Sequence, residues 1–126
     1  MAEVRRIPQW IMLEALRNAV TALHLEKSDG TSTEDYVVVT PTDFATSTQD
    51  YDPVLKMLTE KTIEVDAGET IVAILLYIDG TDAPAAYGPD DDEIRYPIGD
   101  VDGNGETFPD GGSIDVTEFE VNLDDL

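Results

Sequence analysis

Thr70-Ile71-Val72-Ala73-Ile74-Leu75-Leu76-Tyr77-Ile78, closed by Asp79-Gly80-Thr81, is the stretch that decides how this chain folds. Its nine residues carry no charge. They are too few for an ordinary helix and are enriched in Val and Ile, so they specify the central buried strand of a sheet. The Asp-Gly pair that follows is a turn signal.

Working outward, residues 62–65 alternate as a strand and residues 66–69 turn the chain into the central run. Further upstream, Val20-Thr21-Ala22-Leu23-His24-Leu25-Glu26 alternates with a period of two and ends on the turn Ser28-Asp29-Gly30-Thr31. Residues 36–39 form a short β-branched strand closed by Pro41. The polar stretch 42–51 reads as a loop, and 53–61 fits either a helical turn or a strand. Downstream, residues 85–87 form a short strand, 90–93 an acidic loop, 94–98 a strand, 99–105 a Gly/Asp loop and 107–108 a short strand. Gly111-Gly112 turns the chain into a last strand running from Ile114 to Leu123. Only residues 7–20 have a helical period. Pro8 suits the first turn, and Trp10, Leu13, Leu16 and Val20 recur at helical spacing, with Ile11, Met12 and Ala15 widening the face.

The expected architecture is one domain over residues 1–126: a mainly β, antiparallel β-sandwich of about seven or eight strands over 21–126, with one short N-terminal α-helix over 7–20. Turn signals every ~8–12 residues support a sandwich, and parallel α/β folds lack their helices here. A chain of 126 residues with 41% hydrophobic content builds one core without staples, and it has no cysteine to supply them.

Charge narrows the function. Twenty-eight acids against seven bases give a net charge of −21. Such a surface repels itself at low ionic strength, whereas in molar salt the Debye length shrinks to about 3 Å. Composition of this kind resembles that of proteins of haloarchaea and their viruses, and a high-salt environment is the expectation. No basic stripe exists to displace counterions from nucleic acid or to meet an anionic membrane, and no apolar run reaches the ~20 residues of a membrane span. No targeting segment is read at the start, because Glu14, Arg17 and Asn18 interrupt the apolar stretch. Residues 79–126 hold fifteen acids and one base, and residues 1–78 hold thirteen acids and six bases. The N-terminal portion is therefore the expected contact face, with Trp10, Ile11, Leu13 and Leu16 its anchors on a neighbouring subunit. The other reading of the helix is simple packing on a sheet.

Asp100-Val101-Asp102-Gly103-Asn104-Gly105-Glu106 matches the first half of a calcium loop, in which oxygens at alternate positions wrap a hard cation and a glycine makes the sharp turn. Asp100, Asp102, Asn104, Glu106 and Asp110 are the candidate ligands for calcium or magnesium. The second half departs from the pattern, since Gly111 stands where a bidentate Glu belongs and Pro109 blocks an exiting helix. An Asp/Gly-rich turn with no cation is the favoured alternative, and no cofactor is required by the sequence. Catalytic residues are not assigned. With His24 the single histidine and no cysteine, Ser-His-Asp chemistry would need an unusual supporting cast, and a three-histidine zinc site is impossible.

One resemblance remains. The run from Thr70 to Thr81, then Ala85-Ala86-Tyr87-Gly88-Pro89, then Asn104 to Phe119 with its Pro109, Gly111-Gly112 and alternating Ile114 and Val116, resembles small tail-fibre-like β-sandwich virion proteins of tailed viruses. The acidic insert at 90–93 and the 99–105 loop depart from it. The resemblance implies a non-enzymatic structural subunit on the exterior of a haloarchaeal virus particle, either a capsid decoration or turret protein or a tail accessory protein. Its partners would be copies of itself and capsid or tail subunits. The alternative is a calcium- or carbohydrate-binding β-sandwich module of a secreted halophilic protein.

Overall fold

A computed structural model describes residues 3–49, 51–87, 91–98 and 105–123. It is mainly β, with one helix and antiparallel strands in a roughly sandwich-like arrangement. The helix α1 (Arg6–Arg17) leads into β1 (Val20–Lys27) and β2 (Val37–Val38). A 3-10 turn (Pro41–Asp43) then opens β3 (Phe44–Gln49), β4 (Asp52–Met57), β5 (Lys61–Val65) and β6 (Glu69–Ile78). After these come β7 (Glu93–Pro97), β8 (Glu106–Phe108), β9 (Gly112–Val116) and β10 (Glu120–Val121).

As its composition demands, β6 is the central strand. One edge pairs with β1, Leu23 opposite Leu76 and Leu25 opposite Ile74. The other edge is shared, β8 taking Glu69–Ile71 and β7 taking Ala73–Tyr77. The resulting sheet runs β2-β1-β6-β7 with β8 beside β6. A second sheet runs β10-β4-β3, and β5 pairs with β9. Leu23, Leu25, Ile74 and Leu76 meet Phe44, Leu55, Met57, Ile63, Val116 and Phe119 in one continuous core. Burying each such side chain stabilises the fold by about 1.5–3 kcal/mol.

The opposite face of the large sheet is also partly covered. Glu26 on β1 and Arg95 on β7 reach toward each other across β6, with the guanidinium Nε donating to both carboxylate oxygens at 3.0 and 3.2 Å. Ala73, opposite Glu26 in the register, has the short side chain that leaves room for this bridge. Nearby, the His24 ring is stacked between Tyr36 and Tyr77, with centroids 4.9 and 4.4 Å away. These groups explain how Leu75 and Ala73 are buried on a face that sequence alternation would leave wet.

Four sequence expectations change. Residues 42–51 are not a loop: after the 3-10 turn they form β3, paired with β4 from Phe44 opposite Met57 to Gln49 opposite Asp52. The ambiguous segment after Tyr51 is strand β4. Residues 85–87 turn instead of extending. The last strand is two strands, β9 on β5 and β10 on β4, so the described chain has ten strands where seven or eight were expected.

The 3-10 turn supplies a titratable anchor. Thr40 and Asp43 cap each other, the Asp43 carboxylate accepting the Thr40 N–H at 2.8 Å, and Lys61 Nζ lies 3.5 Å away. Burial opposes ionisation of Asp43. The Thr40 N–H, the Thr59 hydroxyl and the Lys61 ammonium outweigh it and hold the carboxyl below its ordinary pKa. A carboxyl with a lowered folded-state pKa contributes stability above its unfolded value, about 3.9, and loses that contribution as pH falls through the folded value. Asp43→Asn is therefore expected to cost about 1 kcal/mol at pH 7, the scale of a lost helix cap. The gap in melting temperature between variant and wild type should close as the pH falls through the lowered folded-state value. A gap of constant size across that range would rule out the charge as its source.

Candidate interface

Helix α1 is amphipathic with its apolar stripe too wide for the core. The fold takes one line of it: Leu13 is fully buried, Leu16 is half-buried, and the helix lies against β3 and β4. Ile7, Ile11 and Ala15, each one turn from the next, point the other way and are exposed, with Pro8, Trp10 and Met12 flanking them. Ile7 is 75% exposed, Ile11 56% and Trp10 48%. A helix on a sheet ordinarily turns charged residues outward; here the outward face is almost wholly apolar. The four anchors expected from sequence therefore divide. Trp10 and Ile11 face solvent, Leu13 belongs to the chain's own core, and Leu16 sits between.

The patch extends beyond the helix. Val4 is exposed just before it, and at the tip of the β3–β4 hairpin Tyr51 is 80% exposed. Tyr51 is held at φ 71°, in the left-handed region that costs a residue with a Cβ about 1–2 kcal/mol. The Arg6 guanidinium lies 5.9 Å from its ring centroid and also pairs with Asp52 at 3.2 Å. Nothing in the sequence marked Tyr51, because its role depends on a hairpin whose first strand was itself read as a loop. Ile7 and Met12 were within the helical pattern and needed only the direction of burial.

Charge is distributed unevenly around this surface. Residues 4–19 hold Arg5, Arg6 and Arg17 against Glu14, a local balance of +2 in a chain of −21. At the far end of α1 lies an open cavity of ≈ 610 Å³. Leu16, Ile78, Ala83, Pro84 and Ile94 give it apolar walls, and Asp79, Asp91, Asp92 and Glu93 line its rim beside Tyr87. The backbone ties this lining to the turn that follows the helix, since Asp79 N–H donates to the Ala19 carbonyl at 2.7 Å. Asp79 accepts both the N–H and the hydroxyl of Thr81, which hold its carboxyl below the ordinary range, so it remains an anion. The same Asp-Gly-Thr turn occurs after β1, where Asp29 accepts the Thr31 N–H at 2.9 Å and hydroxyl at 2.6 Å. Because β1 and β6 are antiparallel neighbours, the two turns lie at opposite ends of the sheet.

Of the expected metal ligands, Asp100, Asp102 and Asn104 lie outside the described residues. Glu106 begins β8 and Asp110 lies in the turn before β9. Gly105 has its own structural reason to be glycine: it packs against the β6 backbone at φ 73°, where a Cβ would meet the Ile71 carbonyl oxygen at 2.1 Å. Among the described residues no three His, Asp or Glu side chains gather as a metal group, and no helix is long and apolar enough to cross a membrane.

No family model matches this chain, and no curated protein and no solved structure matches it either.

Proposed function

We propose that this protein is a structural subunit of a haloarchaeal tailed-virus particle, acting by protein–protein assembly as a capsid-surface decoration or turret protein or as a tail accessory protein. The observation that carries the assembly reading is the outward apolar face of α1 on a chain of −21. Contiguous apolar surface on an otherwise highly charged molecule marks an interaction site. Exposed aromatic and aliphatic anchors with arginine beside them are the groups that dominate protein interfaces. The acidic surface outside the contacts would face the medium and keep the assembled particle soluble in salt. The particle and its setting rest on the resemblance, mostly in residues 62–123, and on the acidic composition.

Light scattering in 3 M salt tests the assembly. The wild type is expected as a discrete closed oligomer, and Ile11→Asp, at an exposed position, as a folded single chain. A wild type that remains a single chain at high concentration would sink self-assembly. An oligomer indifferent to Ile11→Asp would remove α1 from the contact.

A further inference from the structure

The outward face of α1 has a matching receptor on the molecule itself. Resting on the self-assembly reading above, we infer that the N-terminal end of α1, with Ile7 as its centre, docks into the acidic-rimmed cavity at the C-terminal end of α1 of a second copy, joining the chains head to tail. The two surfaces are complementary in chemistry. One is a protruding apolar side chain between Arg6 and Pro8; the other is an open recess with apolar walls and four carboxylates on its lining. Its size is in the range in which proteins enclose ligand groups.

Geometry makes the contact intermolecular. The twelve-residue helix is about 18 Å long, so its first turn cannot bend back into a cavity whose wall includes Leu16 near its last. Electrostatics favours this pairing over a twofold contact of α1 with α1. A twofold contact sets a segment of +2 against its own copy, whereas the cavity lining offers four acids and no base. Arg5 and Arg6 already have partners in Glu3 and Asp52, but these pairs are solvent-exposed and worth little, so exchanging them for the carboxylates of a neighbour costs little.

Tyr51 and Val4, both exposed, widen the donor side. A heterologous contact of this kind propagates until a rotation closes it, which produces rings.

The chain has no cysteine, so disulfide trapping starts from a clean background. The double variant Ile7→Cys/Ala83→Cys, both at exposed positions, is expected to oxidise in 3 M salt into covalent species larger than dimers on a non-reducing gel. Each single-cysteine variant should remain uncrosslinked. Crosslinking needs the two Cα atoms within ~7 Å. A dimer from Ile7→Cys alone, as abundant as the product of the double variant, would overturn the proposal in favour of a twofold helix contact. Ala83→Trp gives a second readout without oxidation, because filling the cavity should dissociate the oligomer to single chains. An oligomer unchanged by Ala83→Trp overturns the head-to-tail contact while leaving self-assembly intact. A wild type that is a single chain in 3 M salt removes both.

Discussion

Gly105→Ala is expected to lower the melting temperature by roughly 6–30 °C, while Gly68→Ala, which carries the backbone strain alone, lowers it by roughly 3–12 °C. Both glycines have positive φ, 73° and 85°, so both substitutions carry the left-handed strain of about 1–2 kcal/mol. Their surroundings differ. A Cβ at Gly68 meets nothing within 4 Å, whereas at Gly105 it meets the Ile71 carbonyl oxygen at 2.1 Å and the Ile71 carbonyl carbon at 2.8 Å. Those atoms are backbone of the central strand and cannot swing aside as a flexible side chain would. Relief requires the 105–108 segment to move off β6. That movement breaks the pairing of Glu106 with Ile71, Thr107 with Thr70 and Phe108 with Glu69, and withdraws the partly buried Phe108 from the core edge. Overpacking and lost pairing add about 1–3 kcal/mol to the strain, giving a total of about 2–5 kcal/mol. At ~3–6 °C per kcal/mol for a domain of this size, that sets the predicted shift. Thermal unfolding of the three proteins in one high-salt buffer is the measurement. Equal shifts for Gly105→Ala and Gly68→Ala would mean that β8 does not lie against Ile71. The comparison also bears on the Asp100–Glu106 motif, because it gives the glycine a purpose independent of any cation.

The large sheet was legible because its signals are local. Nine uncharged β-rich residues named β6, and strict alternation named β1, since a strand's burial pattern follows from the side on which its residues fall. The second sheet was obscured for identifiable reasons. Strand β3 is an edge strand whose sequence, Phe44-Ala45-Thr46-Ser47-Thr48-Gln49, is polar enough to pass for a loop. Strand β4 carries Pro53, which argues against a central strand. Here Pro53 lies beyond the reach of β10, which pairs only with Leu55 and Lys56, so its missing N–H leaves no gap on that edge. The split between β9 and β10 did leave a trace. Val116, Phe119 and Val121 are all buried, and the step of three between the first two breaks the period of two where the chain crosses from one sheet to the other. For the interface, the apolar excess of the helix was legible, but the direction in which it is rotated was not. Leu13 and Ile11 are equally apolar, and only the position of β3 and β4 decides which of them is buried.

Transfer from 3 M to 10 mM salt is expected to unfold the protein. The net charge of −21 is spread over a compact body, for which 126 residues imply a radius of gyration of about 14 Å, against about 36 Å unfolded. Treated as uniformly charged spheres of those sizes, the folded chain carries on the order of 20 kcal/mol more self-repulsion than the unfolded one at 10 mM, where the Debye length is ~30 Å. In molar salt the Debye length is ~3 Å and the difference falls to about 5 kcal/mol. The change between the two conditions, about 15 kcal/mol, reaches the upper end of the ~5–15 kcal/mol by which domains are ordinarily stable. Local pairing does not offset it. Seven bases face 28 acids, and six of them, Arg5, Arg6, Arg17, Lys56, Lys61 and Arg95, each pair with a carboxylate. Circular dichroism across a salt series should show loss of the β signal on dilution and its return when salt is restored. Potassium chloride and sodium chloride should act alike if screening is the cause. The oligomer should fall apart before the fold does. Single chains still repel one another, and dilution weakens the apolar contact at α1 by raising that repulsion before any core residue is exposed. A melting temperature that stays the same from 3 M to 10 mM would mean the acidic surface is not an adaptation to salt, and the haloarchaeal setting would go with it.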